Sequence, residues 1–184
     1  MNVKKLFDLT GEKAIVTGSA QGLGKEMAIA MAEGGADVAI VDINMDGALK
    51  VSKSIQALGV DSIPVKTDVT KIAEVENMVK LVKERFGKIT ILINNAGIVN
   101  NVPAEKLTKE EWDKVMEVNL TSVFLCAQIV GKEMIKNKKG NIINISSMSG
   151  LIVNRPQPQI HYNTSKAGVI MITKSLAAEW AKYN

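Results

Sequence analysis

The sequence predicts an α/β fold, a doubly wound parallel sheet in three α/β/α layers, formed by a single domain over residues 1–184. Three observations predict it. Short, nearly continuous apolar runs alternate with longer helical stretches, as expected for strands covered on both faces. The helical stretches stop at glycine, at Gly34-Gly35, Gly59, Gly87 and Gly140. Strand and helix alternating in this order require right-handed parallel crossovers.

The elements follow in order. A first strand over Lys13 to Thr17 leads through a glycine-rich turn into a helix over Gly22 to Glu33. A strand over Asp37 to Val41 precedes a helix over Met45 to Leu58, and a strand over Asp61 to Lys66 precedes a helix over Ile72 to Phe86. Thr90 to Asn94 forms the fourth strand. A long helix over Lys109 to Asn137 follows, its start marked by Thr108 and Glu111 at capping-box spacing. Asn141 to Ser146 is the fifth strand. Ser149 to Ile160, with Pro156 and Pro158, lacks periodicity and reads as a loop. The last helix begins near His161.

Composition narrows the function. The chain has 184 residues, 46% hydrophobic and 23% charged, with a net charge of +4, enough for one sizeable core. Lys136, Lys138 and Lys139 read as cations at a helix C-terminus, and no aromatics interleave with them, so no nucleic-acid partner is expected. Cys126 and His161 are the single cysteine and the single histidine. No disulfide framework and no metal site are expected. No signal peptide and no segment long enough to span a membrane are read, so the expected compartment is the cytoplasm.

Thr17 to Gly24 places Gly18, Gly22 and Gly24, with Gln21 and Leu23 between them, where a strand turns into a helix. Such a turn lets a pyrophosphate approach backbone amides at a helix N-terminus. Asp42 ends the second strand, where a carboxylate accepts hydrogen bonds from adenosine ribose hydroxyls and repels a 2′-phosphate. NAD is therefore favoured over NADP. Asp42 equally suits a cap for the helix from Met45. Asp68, followed by Val69, ends the third strand in position to meet an adenine amino group or to cap the next helix. Asn94-Asn95-Ala96-Gly97 ends the fourth strand at the switch point of the sheet. Tyr162 and Lys166 lie one helical turn apart on one face, a spacing at which the cation lowers the phenol's pKa. Asn119 stands in a helix interior, where asparagine is unfavourable.

Together these motifs resemble the short-chain dehydrogenase/reductase family. The resemblance covers the whole chain and rests on Thr17-Gly18-x-x-x-Gly22-x-Gly24, Asn94-Asn95-Ala96-Gly97, Asn119, Ser147 and Tyr162-x-x-x-Lys166, in family order. It implies a Rossmann-type fold, a nicotinamide-dependent alcohol/ketone oxidoreductase and a catalytic tetrad of Asn119, Ser147, Tyr162 and Lys166. In those roles Tyr162 exchanges a proton with the substrate oxygen. Lys166 keeps the phenol acidic and holds the nicotinamide ribose. Ser147 bonds the substrate oxygen, with Ser146 structural, and Asn119 holds a relay water. The cofactor side would include Gly18, Gln21, Gly22, Leu23, Gly24, Asp42, Asp68, Val69, Asn95, Ala96 and Gly97. A homo-oligomer, dimer or tetramer, is also implied.

Ser147 and Tyr162 are fifteen positions apart, more than is common in the family. The extra loop resembles that of polyol dehydrogenases of the galactitol type. Its Asn154, Arg155, Gln157 and Gln159 suit either substrate hydroxyls or solvent, and His161 suits either that pocket or packing at the helix start. The family's usual last strands, Pro-Gly turn and lid have no counterpart before Asn184, so the domain is expected to be C-terminally incomplete. The expected substrate is a polyol or sugar derivative. A 3-oxoacyl thioester reductase is the alternative within the family, and a noncatalytic nucleotide-binding or assembly module is the alternative outside it.

Overall fold

The computed structural model describes residues 3–183. Five parallel strands, β1 (Lys13–Thr17), β2 (Asp37–Asp42), β3 (Ser62–Lys66), β4 (Ile91–Asn94) and β5 (Asn141–Asn144), form one sheet in the order β3-β2-β1-β4-β5. The helices are α1 (Gly22–Glu33), α2 (Met45–Gln56), α3 (Ile72–Phe86), α4 (Lys109–Met116), α5 (Ser122–Lys136) and α6 (Ile160–Trp180). The strand order reverses between β1 and β4, which opens a crevice at their carboxyl ends.

The two-residue period of the strands divides the core. Ala14, Val16, Val38, Ile40, Ile91 and Ile93 face Ala28 and Ala32 of α1 and Ala48, Val51 and Ile55 of α2. Ile15, Ala39, Val41 and Leu92 face α3 and α5. Both sets are buried, which is why β1, β2 and β4 read as continuous apolar runs. On α3 the buried Val75, Met78, Val79, Val82 and Phe86 repeat at helical spacing along one stripe. Burial of each such side chain stabilises the fold by about 1.5–3 kcal/mol.

Local signals hold where they are short-range. The Thr108 hydroxyl accepts from the Glu111 amide at 3.2 Å, and a Glu111 carboxylate oxygen accepts from the Thr108 amide at 3.2 Å, closing the predicted capping box. Gly87 ends α3 in the left-handed region, at φ +80°. At the end of α5 the left-handed residue is Lys138, not Gly140. Gly140 is required for space, because a Cβ there would lie 2.6 Å from Met134 Cβ.

Two expectations are corrected. The predicted helix over Lys109 to Asn137 is interrupted by a π turn, Glu117–Thr121, between α4 and α5. Joined through that turn, Lys109–Lys136 is a rod of 28 residues, long and apolar enough by length and composition to cross a membrane, contrary to the sequence-based expectation. Of its most apolar window, 44% is buried within the protein, where α5 packs on α3 and β4. Burial also pushes the Cys126 thiol up to about 12, which leaves it an inert part of that packing.

Candidate active site

The glycine turn is braced from below. Thr17 Oγ1 accepts from the amides of Asn95 (3.0 Å) and Ala96 (3.1 Å), and Asn95 Nδ2 donates to the carbonyls of Thr17 (3.0 Å) and Gly18 (2.9 Å). β1 and β4 are thereby lashed together at the switch point. Gly18, at φ +63°, lies against this brace, since a Cβ there would come 2.8 Å from Ala96 Cα. A Cβ on Gly24 would strike the Gly18 carbonyl and the Asn95 amide. Gly22 differs: it has φ +57° and nothing within 4 Å of where a Cβ would stand. Gln21 makes no side-chain cap and the first turn of α1 carries no acid, so its amide donors open outward beside exposed Leu23.

Ser19, which no sequence motif marks, fixes this turn to β2. Its hydroxyl is buried, donates to the Val16 carbonyl at 2.6 Å and accepts from the Val41 amide at 3.0 Å. Asp42 follows, half-buried, with one carboxylate oxygen accepting from the Ala20 amide (2.9 Å) and the other from the Asn44 amide (2.9 Å). The cap of α2 is Asn44, whose Oδ1 accepts from Gly47, so the capping alternative for Asp42 is corrected. Asp68 is likewise no side-chain cap of α3. One of its carboxylate oxygens accepts from the Thr70 hydroxyl (2.7 Å) and amide (3.0 Å), and the hydroxyl bond foremost holds the carboxyl below its ordinary value. The Val69 side chain is buried in the core, which leaves only its backbone for a ligand.

On the other side of the crevice the π turn shows its purpose. Asn119 is fully buried. Its Oδ1 accepts from the Ile98 amide (2.8 Å), and its Nδ2 donates to the Ile98 carbonyl (2.8 Å) and the Ser165 hydroxyl (3.3 Å). The extra residue per turn lets this amide point inward, while Leu120 seats on Gly168 of α6. A Cβ on Gly97 would come 3.3 Å from Asn119 Oδ1 and 3.7 Å from Lys166 Nζ, so Gly97, Asn119 and Lys166 meet at one point.

α6 is anchored to the sheet by a polar line. Asn94 Nδ2 donates to Asn144 Oδ1 (2.9 Å), Asn144 Nδ2 to Thr173 Oγ1 (2.9 Å), and Thr173 Oγ1 to the Val169 carbonyl (2.8 Å). Ser146 donates to the Lys166 carbonyl at 2.7 Å, the structural role expected of it. Lys166 is buried, donates to the Ile145 carbonyl at 2.8 Å and pairs with no carboxylate among the described residues. Burial pulls its ammonium below the ordinary lysine value. Its Nζ lies 5.7 Å from the centre of the half-buried Tyr162 ring, within cation–π range. Half-buried Ser147 caps a short 3₁₀ turn (Met148–Gly150), its hydroxyl accepting from the Ser149 amide at 3.1 Å.

The long loop is mostly self-engaged. Asn154 Nδ2 and Gln159 Nε2 both donate to the Ser149 hydroxyl, at 2.7 and 3.3 Å. Arg155 and Gln157 are exposed, as are Leu151, Ile152 and Val153. A cavity of about 550 Å³ lies between this loop, Val102 and the face of α6 bearing Asn163 and Thr164. Gln157 lines it, but Asn154, Arg155, Ser147 and Tyr162 do not.

A family model described as short chain dehydrogenase matches residues 12–184. The chain is 40% identical to a galactitol 2-dehydrogenase of Rhizobium johnstonii, across 100% of this chain and 71% of that protein. It is 39% identical to a 3-oxoacyl-[acyl-carrier-protein] reductase of Synechocystis, across 94% and 70%. Its fold matches a crystal structure of NAD⁺-bound xylitol dehydrogenase with a TM-score of 0.91 at 32% identity, covering 96% of this chain and 67% of that one. A sheet that switches direction at a braced glycine turn, with a buried lysine one turn beyond a tyrosine, agrees with these matches: the chain belongs to the short-chain dehydrogenase/reductase family of oxidoreductases, near its polyol dehydrogenases.

Proposed function

We propose that the chain interconverts a secondary alcohol and a ketone, a polyol or sugar derivative, with NAD as the hydride carrier. The observation that carries this is Lys166. An ammonium buried without a carboxylate is costly to the fold, and a fixed charge beside the Tyr162 ring is what a phenol needs to act as an acid/base near neutral pH.

The residues present fit a dinucleotide. The open space over Gly22 and the uncapped start of α1 suit a pyrophosphate. Asp42 would take the adenosine ribose, Asp68 and the Val69 backbone the adenine edge, Ala96 and Gly97 the crevice wall, and Tyr162 and Lys166 the nicotinamide ribose. Bound there, NAD supplies a hydride acceptor at the nicotinamide ring. In oxidation, Ser147 would orient the substrate oxygen and Tyr162 would take the proton of the substrate hydroxyl. Both ends of the Asn119 side chain are engaged with Ile98. It therefore holds the loop after β4 against α6, and a relay water would take the remaining acceptor position of its Oδ1 or its backbone carbonyl. Asn154 supports the loop, which leaves Arg155 and Gln157 as the exposed polar side chains for substrate hydroxyls.

Support for NAD is the Asp42 carboxylate, and the NAD⁺-bound xylitol dehydrogenase likeness agrees with it. Lys66 stands opposite Asp42 in the strand register, so NAD and NADP are compared separately in the test. The likeness to a 3-oxoacyl reductase favours a second reading, thioester reduction at the same tetrad. The test is a panel of polyols and acetoacetyl thioesters with each cofactor, run beside Tyr162→Phe. Polyol-dependent NADH formation, cut at least about 100-fold in Tyr162→Phe, is the expected result. Reduction of thioesters alone moves the chain to the second reading. Undiminished turnover in Tyr162→Phe removes the mechanism.

A further inference from the structure

His161 occupies the first turn of α6, beside Tyr162, and none of its surface reaches solvent. Its Nε2 lies 2.6 Å from Asn100 Oδ1 in the loop after β4. Asn100 settles the tautomer. Its Nδ2 faces Glu111 Oε1 at 3.5 Å, and a carboxylate only accepts, so Oδ1 is the atom turned to the imidazole and must receive a proton. Nε2 therefore carries the hydrogen. Nδ1 is left with a lone pair, buried and without a partner among the described residues. Burial lowers the imidazole's affinity for a second proton, with Glu111 pulling the other way. Glu111 also closes the capping box on Thr108. One line of polar contacts thus ties the start of α6, the loop leaving the switch point and the start of α4. An apolar side chain would fill this site without an orphaned nitrogen. What the imidazole adds is one short, directional bond.

We propose that His161, as the neutral Nε2–H imidazole, is a positioning residue that fixes the Tyr162 phenol against the loop after β4. This rests on Tyr162 being the acid/base of the reaction. His161→Gln keeps an N–H near the Nε2 position, whereas His161→Leu removes it. The expected result is kcat within about threefold of wild type for His161→Gln and about tenfold lower for His161→Leu, with the Kd for NADH unchanged in both. Asn100→Ala, which leaves the core untouched, should match His161→Leu, and the double variant should fall no further. Because the chain has one histidine, the imidazole ¹⁵N spectrum of the 184-residue protein reads the tautomer directly. It should show Nε2–H, held neutral because burial disfavours the second proton, and it should change in Asn100→Ala. The proposal is overturned if His161→Gln is as impaired as His161→Leu, if both match wild type, if the two losses add, or if Nδ1 carries the proton. An unimpaired Tyr162→Phe overturns the acid/base reading and this inference together. A disabled Tyr162→Phe beside an unimpaired His161→Leu overturns this inference alone.

Discussion

Lys166 shows how a single residue can work against stability for the sake of a charge. Its ammonium is buried against one carbonyl, that of Ile145. Replacing it by methionine removes the desolvated charge, a gain, and leaves that carbonyl unpaired, a loss of about 1–3 kcal/mol. The two oppose, so Lys166→Met should melt within a few degrees of wild type while turnover falls about 100-fold or more. The pH dependence has a definite sign. The folded pKa lies below the unfolded one, so the unfolded chain binds more protons and this group's penalty is full at neutral pH. The penalty is relieved as pH rises through the folded value toward about 10.4. Melting curves at neutral and alkaline pH should therefore show wild type gaining on Lys166→Met as pH rises. A gain in the opposite direction would mean that the ammonium has a partner stronger than the Ile145 carbonyl. Tyr162 and Lys166 were legible in the sequence because their spacing is local. The roles of Ser19 and Ser165 were not, because their hydroxyls act across the crevice or between turns that come together only on folding.

Between residues and sheet stands the π turn, Glu117–Thr121. Hydrophobic periodicity predicts one unbroken helix there, because a single inserted residue hardly alters the pattern over a rod of 28 residues. The hint was chemical: an asparagine among apolar neighbours asks for partners. It finds both backbone groups of Ile98, and so joins the loop after β4 to the helix that carries Tyr162. Asn119→Ala should leave the Ile98 amide and carbonyl unpaired at a fully buried position. A loss of about 2–6 kcal/mol is expected, from two unsatisfied backbone groups. Urea titration measures it, and amide exchange at Ile98 should rise by a larger factor than exchange in β1. Equal acceleration at both places would show that the turn is ordinary core and not a local clasp. The capping box at Thr108 was legible for the reason the π turn was not: its atoms lie three residues apart.

At the scale of the whole molecule the topology was legible and its margins were not. The switch between β1 and β4 follows from strand order alone. The fifth strand was expected to run to Ser146, but it ends at Asn144, because Ser146 and Ser147 turn away to bond α6 and a 3₁₀ turn. β5 pairs only with β4, so its outer edge has no strand beside it among the described residues. A groove of about 340 Å³, lined by Met134, Ile142, Leu176 and Trp180, runs along that edge. On the opposite face of the strand Ile143 is 45% exposed. An open strand edge with an apolar residue upon it is a template for pairing with another copy. Ile143→Lys places a charge where two such edges would meet and costs the core little, since the side chain is already half in water. The variant should therefore stay monodisperse at concentrations where wild type forms large species, with its melting temperature and NADH affinity unchanged. Light scattering on warming reads the difference. Equal scattering by both proteins would locate self-association away from β5, on surfaces such as the exposed Leu151, Ile152 and Val153 of the long loop.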